Sequence, residues 1–172
     1  QVAVQDRERL LFFGGKTKEV EKRTRVRARV ISHAMGNLLR DYRRVVIMGH
    51  ADPDLDSLGA AVGVAHFARA HDCEAAIVLN SSNPSIERLW QLIKQHPHIQ
   101  KIFTPSEQIQ QWIEKPDTLL ILVDTHRPSL TIQPELLAKT QHVVIIDHHR
   151  RGEDFVDNPL LVYLEPYASS TC

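Results

Sequence analysis

Six short apolar runs, most rich in β-branched residues and separated by helix-patterned segments, constrain this chain more than any other feature. Val45–Met48, Ala75–Leu79, Ile102–Phe103, Leu119–Val123, Val143–Ile146 and Leu161–Leu164 read as strands. Between them, Leu58–Ala70, Ser85–Gln95, Pro105–Ile113 and a short Glu135–Lys139 stretch read as helices. Continuous rather than alternating apolar runs belong to strands buried on both faces. The pattern therefore predicts an α/β fold with a doubly wound, mostly parallel sheet flanked by helices. Apolar residues make up 42% and charged residues 24% of 172, enough to bury such a core and unlike a disordered segment.

The N-terminal part reads differently. Gln1–Gly15 has the pattern of a hairpin, and a hairpin of that size needs more sheet to be stable. From Glu19 to Tyr42 the pattern is helical, with Val26, Val30, Ile31, Ala34, Met35, Leu38 and Leu39 forming one apolar stripe. Lys22, Arg23, Arg25, Arg27 and Arg29 on its other side read as a solvated connector face rather than a nucleic-acid site. Lys+Arg and Asp+Glu balance at 21 each, so no long nucleic acid is expected as a partner. Two cysteines give no disulfide framework and no zinc pair, and Cys73 reads as a small buried apolar group in a reduced setting. No apolar run reaches the roughly 18 residues of a membrane span, so this piece reads as soluble. Gln1 stands in place of an initiator Met, and Ala168–Cys172 reads as the opening of a helix. A fragment of something longer is therefore expected.

Ligands of α/β sheets bind beyond the carboxyl ends of the strands. Three of those ends are crowded with metal-ligating residue types: His50, Asp52, Asp54 and Asp56; then Asp124 and His126; then Asp147, His148 and His149. Three aspartates within five residues repel one another unless a cation or a helix N-terminus offsets them. Capping before the helix at Leu58 is the plain alternative for this cluster. Asp54 and Asp56, two apart in an extended turn stiffened by Pro53, can address two cations, with His50 reaching the nearer one. Asp124 leaves a buried strand, which suits a carboxylate bridging two ions, although a helix cap would also explain it. His126 faces the other way if the chain stays extended, and so reads as a surface or supporting residue. The adjacent His148 and His149 cannot share one face of a strand. His148 is assigned to metal, His149 to a substrate phosphate, and Asp147 to orienting an imidazole from behind. Arg150 and Arg151 add positive charge for a substrate anion. Carboxylate and imidazole without thiolate favour Mn²⁺, with Fe²⁺, Co²⁺ or Mg²⁺ as alternatives. Paired ions of this kind serve phosphoester hydrolysis.

His50-x-x-x-Asp54-x-Asp56, Val123-Asp124-Thr125 and Asp147-His148-His149 resemble the first three motifs of the DHH phosphoesterase superfamily. Asp147–Gly152 with Tyr163–Thr171 resembles, more closely, the GdpP (YybT) family of cyclic-di-AMP phosphodiesterases. The resemblance implies a first Mn²⁺ on His50, Asp54 and Asp124, and a second on Asp56, Asp124 and His148. It implies His149 at the scissile phosphate and hydrolysis of cyclic-di-AMP to linear pApA. It further implies a division into residues 1–15 (end of a degenerate GGDEF domain), 16–42 (connector) and 43–172 (DHH subdomain). The parent would be anchored at the cytoplasmic side of the cell membrane, with a homodimer compatible with that organisation. The family's fourth motif and DHHA1 subdomain do not occur in this sequence, so this piece alone is expected to be inactive or weakly active. A nanoRNase, a RecJ-like exonuclease, a pyrophosphatase and a non-catalytic signalling module are the competing readings.

Overall fold

The computed structural model describes residues 2–6, 9–13, 20–80, 83–166, 168 and 171, with side chains described from residue 26 onward, Ser106 excepted. Seven strands form one sheet: β1 (Val2–Asp6), β2 (Arg9–Phe13), β3 (Arg44–Met48), β4 (Glu74–Ile77), β5 (Thr118–Val123), β6 (Val143–Asp147) and β7 (Leu161–Leu164). Their spatial order is β2-β1-β7-β6-β5-β3-β4. The five strands from β7 to β4 are all parallel, while the β1–β2 hairpin joins β7 in antiparallel register. The α/β, doubly wound arrangement expected from the sequence is the one observed.

Helix α1 (Val20–Leu39) and helix α2 (Leu55–Ala70) cover one face of the sheet. Ile31, Met35 and Leu39 meet Ala61, Ala65, Val45, Ile47, Leu119 and Ile121 there. The other face packs Val46, Met48, Leu120 and Leu122 against Leu136 of a 3₁₀ stretch (Pro134–Lys139) and against Ile109 and Ile113 of a later helix. That helix (Ser106–Ile113) is α5, preceded by α3 (Glu87–Lys94) and α4 (Pro97–Gln100). All six residues of β5 are buried, which explains why its sequence alternates with nothing. Thr118 satisfies its hydroxyl by donating to the Trp112 carbonyl at 2.7 Å.

Three details differ from the sequence pattern. Ile102–Phe103 is not a strand but a single bridge from Phe103 to Ile77. Glu135–Lys139 is a 3₁₀ turn rather than an α-helix. The apolar stripe of α1 is only partly covered: Ile31, Met35 and Leu39 are buried, but Val26 and Val30 are exposed. Adjacent residues on a helix are turned by about 100°, so the row through Val26 and Val30 lies beside the buried row. Cys73 is buried, as expected, with its thiol against the carbonyls of Leu39 and Tyr42.

The chain enters the parallel part of the sheet at β3, steps outward to β4, then returns to β5 on the other side of β3. The winding direction therefore reverses between β3 and β5, where a crevice opens at the carboxyl ends. Gly49 makes the close approach at this point. A Cβ there would lie 2.1 Å from the Ser57 Oγ and 3.5 Å from the Val123 carbonyl oxygen. Gly49→Ala is expected to destabilise the chain by about 1–3 kcal/mol in urea unfolding, the usual cost of overpacking. Adding Ser57→Ala removes the clashing oxygen, and the double variant is expected to recover at least half of that loss.

Candidate metal centre

The first cluster sits where β3 runs into α2. Its backbone is clasped from the side: Ala51 N–H donates to the Leu130 carbonyl at 2.8 Å, and Ile132 N–H to the Gly49 carbonyl at 3.1 Å. Asp54 is the N-cap of α2, its Oδ1 accepting from Ser57 N–H at 2.9 Å. The same carboxylate lies 4.0 Å from His50 Nε2. The cap and the ligand readings of this cluster thus coincide in one residue. Asp56 follows in the first turn, where the helix dipole favours negative charge.

Asp124 occupies the corner at the end of β5 with φ of 57°. Left-handed backbone at a residue other than glycine costs roughly 1–3 kcal/mol, least for Asp and Asn. Its carboxylate is buried, and its two oxygens face different imidazoles. Oδ2 is 3.4 Å from His50 Nε2, and Oδ1 is 3.3 Å from His148 Nε2. Asp56 Oδ2 lies 3.5 Å from the same His148 nitrogen. The other His148 nitrogen, Nδ1, meets the Ala168 carbonyl at 3.2 Å. A carbonyl can only accept, so Nδ1 carries a proton there and Nε2 is the nitrogen available to a cation shared with the carboxylates. Two ligand groups result, His50–Asp54–Asp124 and Asp124–His148–His149, each with donor atoms within 4.8 Å of one another. Asp124 belongs to both. Its contact also raises the pKa of His50, outweighing the burial that acts the other way.

This donor set suits divalent cations that accept oxygen and imidazole together. The cavity in front of it has a volume of about 460 Å³. His50, Asp54, Asp124, Asp147, His148 and His149 all line it. Arg150 and Arg151 are not among the lining residues; the Arg151 guanidinium instead lies 4.1 Å from the Phe155 ring centroid. The cation on the cavity wall is Arg127, which the sequence pattern did not single out.

His126 is no surface residue: it is 1% exposed. The left-handed turn at Asp124 breaks the strand alternation that would have pointed it outward, and the ring turns inward to Asp147. Asp147 accepts from the ring Nδ1 of both His126, at 2.6 Å, and His149, at 2.8 Å, and from the His149 amide at 3.0 Å. Burial pushes its pKa up, but these donors outweigh burial and hold it below the usual carboxylate value. Thr171 also reaches the site. Its N–H donates to Asp56 Oδ2 at 2.6 Å and its hydroxyl to Asp124 Oδ1 at 2.9 Å. The sequence offers Ser169, Ser170 and Thr171 as helix caps or as donors to a phosphate at a helix N-terminus; Ser169 and Ser170 lie outside the described residues.

Comparison with known proteins places this geometry. The DHH family, N-terminal domain, matches residues 44–172. The chain belongs to the DHH family. It is 50% identical over 163 residues to the cyclic-di-AMP phosphodiesterase GdpP of Bacillus subtilis, covering 93% of this chain and 24% of that protein. It is 46% identical over 175 residues to the cyclic-di-AMP phosphodiesterase PdeA of Listeria monocytogenes, covering 99% of this chain and 26% of that protein. A probable manganese-dependent inorganic pyrophosphatase of Streptococcus thermophilus is 25% identical over 129 residues, 74% of this chain and 38% of that one. Among solved structures, an exopolyphosphatase-related protein from Bacteroides fragilis shares the fold, with a TM-score of 0.62 and 19% identity over 83% of this chain and 41% of that one. This DHH chain thus spans about a quarter of the length of the phosphodiesterases it matches.

The depressed carboxylate of this DHH centre has a consequence for stability. A lowered pKa contributes stability above the unfolded value of about 3.9, and that contribution disappears as pH falls through the folded value. The urea-unfolding free energy of the metal-free chain is expected to drop below about pH 4. Asp147→Asn is expected to flatten that acid limb while lowering stability at neutral pH.

Proposed function

We propose that this chain is the metal-binding part of a phosphodiesterase that hydrolyses cyclic-di-AMP to linear pApA. The observation carrying this reading is Asp124, whose two oxygens face imidazoles from two different strand ends. Identities of 46–50% with cyclic-di-AMP phosphodiesterases over nearly the whole chain support the substrate.

In this reading His50, Asp54 and Asp124 hold one divalent ion, and Asp56, Asp124 and His148 hold the second. Mn²⁺ is the proposed metal, with Fe²⁺, Co²⁺ or Mg²⁺ as alternatives. Such a pair supplies charge neutralisation and a bound water acidic enough to ionise near neutral pH. The chain's own residues do the rest. Asp147 takes the Nδ1–H of His149, which turns Nε2 away from Asp147; carrying a proton, that nitrogen donates to the scissile phosphate. Arg127, on the cavity wall, offers a fork of donors to a phosphate; Arg150 and Arg151 add positive potential nearby. Ala168 and Thr171 hold His148, Asp56 and Asp124 in register from the far side.

The division into residues 1–15, 16–42 and 43–172 is carried forward here, as are a membrane-anchored parent and a homodimer. Among the described residues no helix is long and apolar enough to cross a membrane. Low activity of the chain alone is part of the same proposal. A second reading, cleavage of a phosphoanhydride, draws on the 25% identity with probable manganese-dependent pyrophosphatases.

Turnover of cyclic-di-AMP, pApA and pyrophosphate by the intact enzyme carrying this chain separates the two. Cyclic-di-AMP is expected to be the preferred substrate, with activity lost on chelation and restored by Mn²⁺. Asp124→Ala is expected to lower turnover by about 10²-fold or more, since it removes a charge worth several kcal/mol in the transition state. Preference for pyrophosphate, or unchanged turnover in Asp124→Ala, contradicts the proposal.

A further inference from the structure

We infer that His126 is a positioning residue for the reaction, fixing the orientation and tautomer of His149 through the shared carboxylate of Asp147. The inference rests on the phosphodiester-hydrolysing role proposed for His149 and goes beyond it to a buried residue that acts through Asp147.

The protons along this chain of groups can be placed by elimination. Gly152 N–H points at His126 Nε2 at 3.0 Å, and a backbone amide can only donate. His126 Nε2 is therefore unprotonated, and the ring proton sits on Nδ1, where it donates to Asp147 Oδ2 at 2.6 Å. That bond occupies one oxygen of Asp147. The other oxygen, Oδ1, is left for His149, whose amide and ring Nδ1 both reach it, at 3.0 and 2.8 Å. A carboxylate with one oxygen pinned has no freedom to rotate away, so His149 keeps its Nδ1–H on Asp147 and Nε2 is left as the outward nitrogen that can donate to a phosphate once it carries a proton.

The surroundings make this a rigid arrangement. His126 and Asp147 are 1% and 2% exposed. The Phe155 ring lies 5.2 Å from the His126 ring and carries the Arg151 guanidinium 4.1 Å from its own centroid, which packs this side of His126. Gly152 serves as the joint. Its amide fixes His126, and its bare Cα lets the Arg127 guanidinium pack closely, since a Cβ would lie 3.1 Å from Nη2. His149, by contrast, is exposed. Of its ring contacts among the described residues, the 2.8 Å bond to Asp147 is the shortest, beside 3.8 Å to Asp124. An exposed imidazole without that bond would sample both tautomers and several rotamers.

The test separates Nδ1 from Nε2 by side-chain length. In His126→Asn the amide nitrogen stands near the place of Nδ1 and still donates to Asp147. In His126→Gln the amide reaches the Gly152 side and the donor to Asp147 is lost. His126→Leu loses both. For the intact enzyme the expectation is a fall in kcat of about 10–100-fold in His126→Leu and His126→Gln, the usual cost of removing a supporting partner. KM and the Mn²⁺ affinity measured by calorimetry are expected to stay within about threefold. His126→Asn is expected to restore at least half of the lost kcat. Independently of any substrate, ¹⁵N-resolved histidine spectra of the metal-free chain are expected to show His149 as the Nδ1–H tautomer in wild type and His126→Asn, and as a mixture in His126→Gln. Unchanged kcat in His126→Gln, no rescue by Asn, or an unchanged His149 tautomer overturns the inference. Should His126→Leu fail to fold, the Asn–Gln pair decides alone. If the wild type hydrolyses a different phosphoester, the substrate reading fails, while the tautomer measurement still judges the role of His126.

Discussion

A carboxylate buried at the end of a hydrophobic strand is costly unless something neutralises it, and Asp124 has an imidazole against each of its oxygens. His50 approaches one oxygen and His148 the other, and the Thr171 hydroxyl adds a third partner. Ionised carboxylates survive burial only through such partners or through metal. The cost of the left-handed corner adds to that of burial, and the surrounding contacts must over-determine it. The three motif-bearing strand ends converge on this one side chain.

Convergence follows from the winding of the sheet. β3, β5 and β6 are neighbours in parallel register, with Met48 opposite Leu122 and Val123 opposite Ile146. Three loops leaving adjacent carboxyl ends have no choice but to share a crevice. The N-terminus of α2 opens into the same crevice, so Asp54 comes from its N-cap and Asp56 from its first turn, while His50 comes from the strand tip. The far wall is built by the stretch after β7. Glu165 receives Arg27 of helix α1 at 3.3 Å, and the same stretch continues to Ala168 and Thr171 at the ligands. Helix α1 and the metal centre are thereby joined through one short segment.

Much of this was legible in the sequence because strands buried on both faces leave continuous apolar runs, and because ligand residues cluster at their ends. The runs placed β3, β5, β6 and β7 within a residue or so, and the clusters brought His50, Asp54, Asp124, Asp147, His148 and His149 to one cavity, with Asp56 beside His148. The N-terminal hairpin was legible as a hairpin; its pairing with β7 was not, since edge register leaves no mark in composition. Of the two readings of His126, surface or supporting, the supporting one holds; the surface one failed because strand alternation assumes an extended backbone, and Asp124 abandons it. Arg127 was passed over for Arg150 and Arg151 because nothing in local spacing tells which arginine of a loop faces a cavity. Thr171 carried the signal of a cap or of a phosphate donor, and its reach to Asp56 and Asp124 depends on how the chain returns after β7.

The central claim is that Asp124 is shared between two cation sites formed by imidazole and carboxylate groups from three strand ends. Crystals of the protein grown with Mn²⁺ and measured at the manganese absorption edge test it directly. The account predicts anomalous density in contact with Asp124, with His50 and Asp54 on one side and Asp56 and His148 on the other. Anomalous density on surface carboxylates alone, with Asp124 still bonded only to protein groups, would contradict it.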